Sequence, residues 1–338
     1  MEKLVLISKS LIKWALCTSA IWIVPLFSQA QVVEVLGSQK FSSADTFKTH
    51  RVGGLSGLSY SGGFLWSISD DRGMHGPPRF YKMDFQSQKV KSEDEVLVKE
   101  PADSPVVDFE ALNRLNSGEF LISSEGDFNK KPRVFPFVRF WSTTRGWGKS
   151  LPLPSDFFPE KIGLQTRGLH NNSAFEGVTI SLDEKTIYLM SELPLVQNKK
   201  DEIEFLEYGQ SDEGEWRLQS RKPYVRDLPP ENTIEVMRGI SEILYWKSHQ
   251  LLVLERYVRV DRSKGFNFGA ELFSVTLPDL KKKKIFTFEN KWAGNWEGMT
   301  WGPDLSDGRK QLILVTDNNF EKGTPTQFLF LAVKEESK

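Results

Sequence analysis

Five stretches of this chain repeat one layout. In each, a strand-forming segment opens near an acidic or small residue, a tight turn follows, and a second apolar strand ends on an acid. The clearest copy is SAFEGVTI at residues 173–180 followed by KTIYLMSE at 185–192. The equivalent positions of the five first strands hold Ser56, Glu110, Glu176, Ser241 and Glu297. A chain that restarts the same pair of strands about every 60 residues is a repeat protein.

Further strand-like runs follow the first pair in each copy. The third runs cover residues 79–85, 134–140, 202–208, 271–277 and 327–333, and fourth runs follow in four copies at 95–98, 149–153, 216–219 and 284–288. Alternation of apolar and polar residues with period two, rich in aromatic and β-branched side chains, is the signature of strands. Four-stranded sheets repeated radially form a β-propeller. The sequence therefore predicts an all-β, single-domain propeller of five four-stranded units.

The two ends of the chain are predicted to close this ring. The fifth copy has no fourth run, whereas the spare strand VVEVL at residues 32–36 precedes the first copy. No Gly/Ser/Pro-rich linker separates the copies, so residues 31–338 are predicted to form one propeller domain. The long connections at 101–107 and 226–237 leave room for a sixth blade, so five and six blades both stay open at this point.

The first thirty residues have the pattern of a secretory signal peptide. Three lysines precede an apolar run at 14–27, and a small-residue cleavage site ends at Ala30. The apolar run is shorter than the roughly 20 residues that span a bilayer. Cleavage after Ala30 removes Cys17, the only cysteine, and leaves a chain without disulfides. We therefore expect a soluble protein that is secreted or periplasmic, with no membrane span.

Several classes of partner and active site find no support in the sequence. The formal net charge of −1 gives no sign of the basic surface that binds nucleic acid. We expect a monomer that acts on a small anionic or ester substrate. The chain has no G-x-S-x-G elbow, no HExxH motif and no glycine-rich phosphate loop. The four histidines lack metal spacing and are predicted to be surface or loop residues: His50, His75, His170 and His249.

Acidic residues are expected to gather at one face of the propeller. The start of a blade's first strand and the end of its antiparallel second strand meet at the same face. This rule predicts one rim formed by Glu110, Glu176, Glu242, Glu297, Asp70, Glu125, Glu192, Glu255 and Asp317. Arg72 and Arg256 lie beside two of these acids in the sequence.

Crowded carboxylates raise one another's pKa unless cations are bound among them. Oxygen ligands of this kind suit Ca²⁺, and less well Mg²⁺. The predicted metal ligands are Asp70, Glu110, Glu125, Glu176, Glu297 and Asp317. The alternative is that each acid caps the neighbouring backbone or pairs with an arginine.

The repeated motifs together resemble a known family. The segments that carry the resemblance are 54–58 with 69–72, 108–110 with 123–126, 172–177, 239–242 with 252–256, and 295–298 with 316–320. In this order they resemble the bacterial phytase-like family called "esterase-like activity of phytase", over residues 53–333. The resemblance implies a propeller fold, export, and hydrolysis of phosphoesters or esters.

These observations lead to two functional hypotheses. The first is an exported, metal-dependent, phytase-like hydrolase, in which Glu176 and Glu297 are the catalytic carboxylates and Arg72 and Arg256 bind the substrate. The second is a non-catalytic, calcium-stabilised propeller that binds a ligand or a protein partner.

Overall fold

The computed structural model describes residues 33–229, 233–261 and 265–334. The predicted signal peptide at 1–30 lies outside these residues. Within them the protein consists of five four-stranded antiparallel sheets and one small hairpin. The helical elements are two short 3-10 turns, Ser155–Phe157 and Asn290–Trp292. No helix in the described part of the chain is long and apolar enough to cross a membrane.

The strands follow the order of the chain, and each blade is built from consecutive strands. Before the first blade come β1 (Val33–Phe41) and a hairpin of β2 (Thr46–Phe47) and β3 (His50–Arg51). Blade 1 consists of β4 (Leu55–Ser61), β5 (Phe64–Ser69), β6 (Arg79–Gln86) and β7 (Lys89–Leu97). Blade 2 consists of β8 (Phe109–Arg114), β9 (Phe120–Ser124), β10 (Phe137–Ser142) and β11 (Gly146–Ser150). Blade 3 consists of β12 (Gly177–Ile180), β13 (Thr186–Met190), β14 (Glu202–Gln210) and β15 (Trp216–Val225).

The last two blades complete the ring. Blade 4 consists of β16 (Ile234–Lys247), β17 (Gln250–Asp261), β18 (Gly265–Thr276) and β19 (Lys281–Phe288). Blade 5 consists of β20 (Asn295–Trp301), β21 (Lys310–Asp317), β22 (Thr326–Val333) and the N-terminal β1. The first strands of neighbouring blades lie next to one another around the central channel. The prediction of an all-β propeller with five four-stranded units is confirmed, and the described residues of the two long connections form no sixth blade.

Strand β1 closes the ring as the sequence predicts. It pairs antiparallel with β22, from Val33 opposite Val333 to Phe41 opposite Thr326. Every residue of β22 is buried, so this strand is covered on its faces by neighbouring blades and on its edge by β1. The closure joins the two ends of the described chain in one sheet.

We expect removal of the closing strand to destabilise the whole propeller. A chain that begins at Ser42 loses the fully buried Val33 and exposes the edge of the apolar β22. We predict a loss of roughly 3 kcal/mol or more in unfolding free energy, together with aggregation through the open edge. Urea unfolding and light scattering, compared with a chain that begins at Gln31, would measure both effects. Equal stability of the two chains would contradict this account.

The hydrophobic core is divided into five clusters, one between each pair of neighbouring blades. Strand β21 shows how the sequence produces this arrangement. Its Leu312 and Leu314 pack toward blade 4, whereas Ile313 and Val315 pack toward blade 1. Successive side chains of a strand point to opposite faces, and both faces of a blade are buried. The strands of this protein are therefore apolar at consecutive positions where they cross the core.

The channel is narrow enough to require glycine at two positions after the strand markers. A Cβ atom on Gly298 would lie 2.2 Å from the carbonyl oxygen of Ser56, and one on Gly57 would lie 2.4 Å from the amide nitrogen of Leu112. Real Cβ contacts are never this short, so the close approach of neighbouring backbones requires the missing side chain.

Candidate functional site

The five repeats place two rings of side chains at one end of the channel. The first ring comes from the first strands and holds Ser56, Glu110, Glu176, Ser241 and Glu297. The second ring comes from the residues that close the second strands, and it holds Asp70, Glu125, Glu192, Arg256 and Asp317. In every blade the second-ring residue is paired across the two strands with the residue that stands two positions before the first-ring residue of that blade. In blade 5, for example, Asp317 pairs with Asn295, two positions before Glu297. The two rings together carry seven carboxyl groups and one guanidinium group.

The rings open into a cavity of about 300 Å³, which we call the mouth. The mouth is lined by Asp70, Asp71, Arg72, Met74, His75, Glu110, Asn172, Glu176, Arg256, Asn295, Glu297, Asn319 and Phe320. Most of these side chains are polar or charged, so the mouth suits a polar group of a ligand.

Arg256 is the centre of a buried ion-pair network in the mouth. Its Nη2 donates to Glu176 Oε1 at 3.1 Å and to Glu192 Oε1 at 2.6 Å. Its Nη1 donates to Asn295 Oδ1 at 2.8 Å and to a carboxylate oxygen of Glu297. The guanidinium thus joins three carboxylates from blades 3 and 5. Its positive charge lies where the other four blades carry an acid.

A structured loop between β5 and β6 forms one wall of the mouth. Asp71 and Arg79, both buried, form an ion pair beneath this loop. Arg79 Nε also donates to Tyr81 Oη at 2.7 Å, and the amide of Gly73 donates to Asp71 Oδ1 at 2.6 Å. These bonds fix both ends of the loop on the body of blade 1.

The loop presents two groups to solvent at the mouth. Arg72 Nη2 lies 2.5 Å from Asp108 Oδ2, while 39% of its side chain is exposed. The exposed ring of His75 stacks on Phe320, with centroids 4.0 Å apart and an interplanar angle of 20°. A ligand that enters the mouth therefore meets a partly free guanidinium and an imidazole.

Left-handed backbone conformations are concentrated around the mouth. Four non-glycine residues of its lining have positive φ: Arg72 at 50°, Asn172 at 58°, Asn319 at 50° and Phe320 at 53°. Such conformations are uncommon outside glycine and tend to occur at functional sites, where the surrounding structure holds them. The backbone of the lining is consistent with a preorganised binding site.

The carboxylates of the rings are close enough to share cations. Three groups each offer three carboxylate oxygens within 4.8 Å of one another. The groups are Asp70, Glu110 and Glu297; Asp108, Glu110 and Glu125; and Glu125, Glu176 and Glu192. Oxygens that coordinate one Ca²⁺ at 2.3–2.6 Å lie within about 5 Å of one another.

Several buried oxygens of these acids have no hydrogen-bond partner among the described residues. They include Glu125 Oε2, Glu297 Oε2 and Asp317 Oδ2. A buried acceptor without a partner is unfavourable, because it has lost its water and gained nothing in exchange. A hard cation would satisfy these oxygens, so the residues fit a calcium-type site.

Burial and mutual repulsion raise the pKa values of these acids. Burial, followed by the effect of nearby carboxylates such as Asp317, raises the pKa of Glu297 to about 8, although Arg256 opposes the shift. Burial likewise raises the pKa of Asp108 and of Asp317 to about 6. For the same reason the pKa lies well above its usual value for Asp70, Glu110, Glu125 and Glu176. Without a cation, the mouth therefore retains protons at neutral pH.

Comparison with protein families decides which family the chain belongs to. Residues 50–320 match the family described as "Phytase-like: Esterase-like activity of phytase". The chain belongs to this phytase-like family. No curated protein matches the chain by sequence.

Several solved structures resemble this phytase-like propeller at low sequence identity. The endo-arabinase from Bacteroides thetaiotaomicron is 10% identical, with a TM-score of 0.45, covering 89% of this chain and 99% of that one. The GH43 endo-arabinanase from Bacillus licheniformis is 12% identical, with a TM-score of 0.46 and coverage of 84% and 96%. The periplasmic gluconolactonase of Pseudomonas aeruginosa is 11% identical, with a TM-score of 0.39 and coverage of 84% and 90%. These likenesses concern the fold alone.

The structure brings the predicted site residues of the phytase-like chain together. Asp70, Arg72, Glu110, Glu176, Arg256 and Glu297 all line the mouth. Glu125 lies in two of the three carboxylate groups. Asp317 is close enough to raise the pKa of both Asp70 and Glu297. Their roles as ligands, catalysts or substrate contacts stay predictions.

Two acids that the sequence placed on this rim lie elsewhere. Glu255 faces away from the mouth, where it accepts from Tyr224 Oη at 2.8 Å and from Lys282 Nζ at 2.7 Å. Because side chains alternate along β17, the mouth receives Arg256 instead. Glu242 occupies the position after the first-ring marker, where Gly177 and Gly298 stand in blades 3 and 5. Its carboxylate accepts from the amide of Ile243 at 2.9 Å.

Sequence reasoning missed several residues of the mouth. His75 is an exposed loop residue, as predicted, and its loop also places it in the lining of the mouth. Asn295, which lines the mouth, and Asp108, which pairs with Arg72 beside it, occupy the same position, two residues before the first-ring markers of their blades. Alignment of the repeats at that position could have identified both. Nothing in the sequence indicated His75, since its place depends on how the Asp71–Arg79 ion pair holds the loop between them.

Proposed function

We propose that this phytase-like protein is an exported, metal-dependent hydrolase that acts on an ester or phosphoester at the mouth. The observation that carries the proposal is the convergence of the carboxylates of Asp70, Glu110, Glu176 and Glu297 with the solvent-facing Arg72 in one open cavity, where Glu297 Oε2 has no hydrogen-bond partner among the described residues. Family membership supports the reaction class. Calcium is favoured over magnesium, because Mg²⁺ retains several water ligands and binds poorly to a cage of protein carboxylates.

In this proposal the metal binds at one or more of the three sets of carboxylates described above, each of which contains Glu110 or Glu125. When bound, a divalent cation would polarise the phosphoryl or carbonyl oxygen and lower the pKa of a coordinated water. The remaining chemistry belongs to the protein. Glu176 and Glu297 orient the attacking water and accept its proton, and Glu297 Oε2 has no hydrogen-bond partner among the described residues that it would have to give up.

The two arginines have different tasks in this proposal. Arg72 has an exposed portion and faces solvent, so it binds the anionic oxygens of the substrate. Arg256 directs its Nη atoms to carboxylates and an amide of the protein. It therefore contributes by holding Glu176 and Glu297 in fixed positions and by balancing part of their charge.

Replacement of the two catalytic candidates tests the proposal. In Glu176→Gln and Glu297→Gln variants we expect kcat to fall about 100-fold or more, while the fold is kept. A panel of phosphate esters and carboxyl esters, assayed with Ca²⁺, supplies the measurement. Glu271→Gln is the matched control, since Glu271 is equally buried but is paired with Arg238 and Lys284 away from the mouth.

The same variants separate the hydrolase from the calcium-stabilised binding propeller. The network around Arg256 is the observation that favours that second candidate, because it explains three of the acids by structure alone. If the wild-type protein releases no product from the panel, and the Gln variants change only thermal stability, the binding propeller is the better account.

Export is part of the proposal and has its own test. We expect the exported protein to begin at Gln31, after cleavage of residues 1–30. Mass spectrometry of protein recovered from the periplasm and the medium would give the N-terminus. Protein that stays in the cytoplasm with Met1 in place would contradict this part.

A further inference from the structure

Blade 4 rises above the mouth on strands that are longer than those of its neighbour. Its first three strands have 14, 12 and 12 residues, whereas those of blade 3 have 4, 5 and 9. Gly239 pairs with Arg256 at the level of the mouth, and the strands continue past this pair as far as Ile234 and Asp261. The extension therefore stands at the edge of the mouth.

One face of this extension is apolar. Val258 pairs with Phe268, and Val260 lies between Ile234 and Phe266. We call these five residues the apolar wall. Phe266 is 69% exposed and Phe268 is 39% exposed, so large apolar side chains are left in contact with water.

The wall lies on the same face of β17 as the arginine of the mouth. The pairing of β17 with β18 is regular from Gln250 to Asp261, so residues two apart share a face. Val258 and Val260 therefore continue the face that begins with Arg256, whose guanidinium lies in the mouth. The apolar wall therefore begins two residues beyond Arg256, on the strand face that reaches the mouth.

The opposite face of the extension is polar and satisfied within the protein. Arg259 Nε lies 3.3 Å from Glu235 Oε2, and Arg259 Nη1 lies 3.2 Å from Glu289 Oε1. Tyr257 Oη donates to Glu289 at 2.8 Å. These bonds attach the polar face of the extension to neighbouring residues of the protein. The apolar wall on the other face therefore stays exposed to solvent.

We propose that the apolar wall binds an alkyl or aryl group of the substrate while the ester or phosphoester group enters the mouth. The inference rests on the proposed function and narrows it to amphiphilic substrates, as opposed to compounds that are anionic on every side. The exposed area of the wall is on the order of 300 Å². A stable protein interface needs about 800 Å² per partner, so one chain or ring of a small molecule suits the wall better than a second protein.

Two phosphonates that cannot be hydrolysed test this inference by binding alone. Isothermal titration calorimetry of the full chain, in calcium-containing buffer, compares n-octylphosphonate with methylphosphonate. Burial of an octyl chain against the wall should make the octyl compound bind at least about tenfold more tightly. Equal affinities, or no binding of either compound, overturn the inference.

Variants then assign the preference to the wall. The double variant Phe266→Ser with Phe268→Ser should lose the octyl preference. The control is Leu182→Ser with Leu218→Ser, since these leucines are 76% and 39% exposed on blade 3. It should retain the preference, and circular dichroism should show both variants folded. An octyl preference that survives in the wall variant overturns the inference.

Other occupants of the wall give different results. Sedimentation with phosphatidylcholine vesicles that requires Phe266 and Phe268 would identify a membrane contact, and a dimer that dissociates in the wall variant would identify a second copy of this chain. Either result, found without the octyl preference, overturns the inference. Failure of the proposed function looks different again: no ester is turned over, yet the octyl preference and its loss in the wall variant persist.

Discussion

Replacement of Arg256 by Ala is expected to cost on the order of 3–5 kcal/mol of unfolding free energy, because it leaves Glu176, Glu192 and Glu297 buried without their cation. Removal of one partner from a buried ion-pair network costs more stability than replacement of the whole network by apolar residues, since the remaining charges stay buried without water or a partner. Urea unfolding in a chelating buffer would measure the loss.

Added calcium should reverse much of this loss. A bound cation supplies the positive charge that Arg256 no longer provides, and a ligand that binds only the folded state stabilises it by mass action. We therefore expect calcium to raise the stability of Arg256→Ala more than that of the wild type.

Arg309→Ala is a suitable control, because Arg309 forms ion pairs with Glu34 and Asp307 at the surface. Exposed pairs of this kind contribute little. If Arg256→Ala were as mild as Arg309→Ala even above pH 8, where Glu297 has lost its proton, the ion pairs with Arg256 would contribute no more than exposed ones, and this account of the network would be wrong.

The repeat pattern of the sequence predicted the propeller fold, while it left five and six blades both open. Period-two alternation identified the strands, their recurrence identified the blades, and the missing fourth run of the last repeat identified β1 as the closing strand. These features are local or periodic, so one sequence displays them fully. The five interblade clusters follow from the same alternation, as β21 shows with Leu312 and Ile313 on opposite faces.

The composition of the mouth was predicted less well, because it depends on register. Alternation along β17 lets only one of Glu255 and Arg256 face the channel, and the sequence does not say which. A bulge between Ile240 and Glu242 changes the register of β16. The same irregularity recurs between Trp296 and Gly298 of β20, so alignment of the repeats at their markers would have put Glu242 at the glycine position and not on the rim.

Stability of the metal-free protein should fall as pH rises from about 4.5 to about 8. In the unfolded chain the carboxyl groups release their protons near pH 4. In the folded protein Asp108 and Asp317 hold theirs to about pH 6 and Glu297 to about pH 8. The folded state therefore binds more protons across this interval, and linkage requires that unfolding free energy decrease with pH there. The stabilisation is complete below pH 4 and is lost as pH passes through the folded-state values.

The loss attributable to Glu297 alone is on the order of 4 kcal/mol. Denaturant unfolding at several pH values in a chelating buffer would measure it. Glu297→Gln is the informative variant, because a neutral amide resembles the protonated acid and should flatten the decline between pH 6 and 8. Calcium should flatten it as well, since the cation replaces the protons and binds more tightly as they leave. A chelated wild-type protein that grows more stable over this interval would show that the carboxylates of the two rings ionise freely, and the crowding that supports a cation site would be absent.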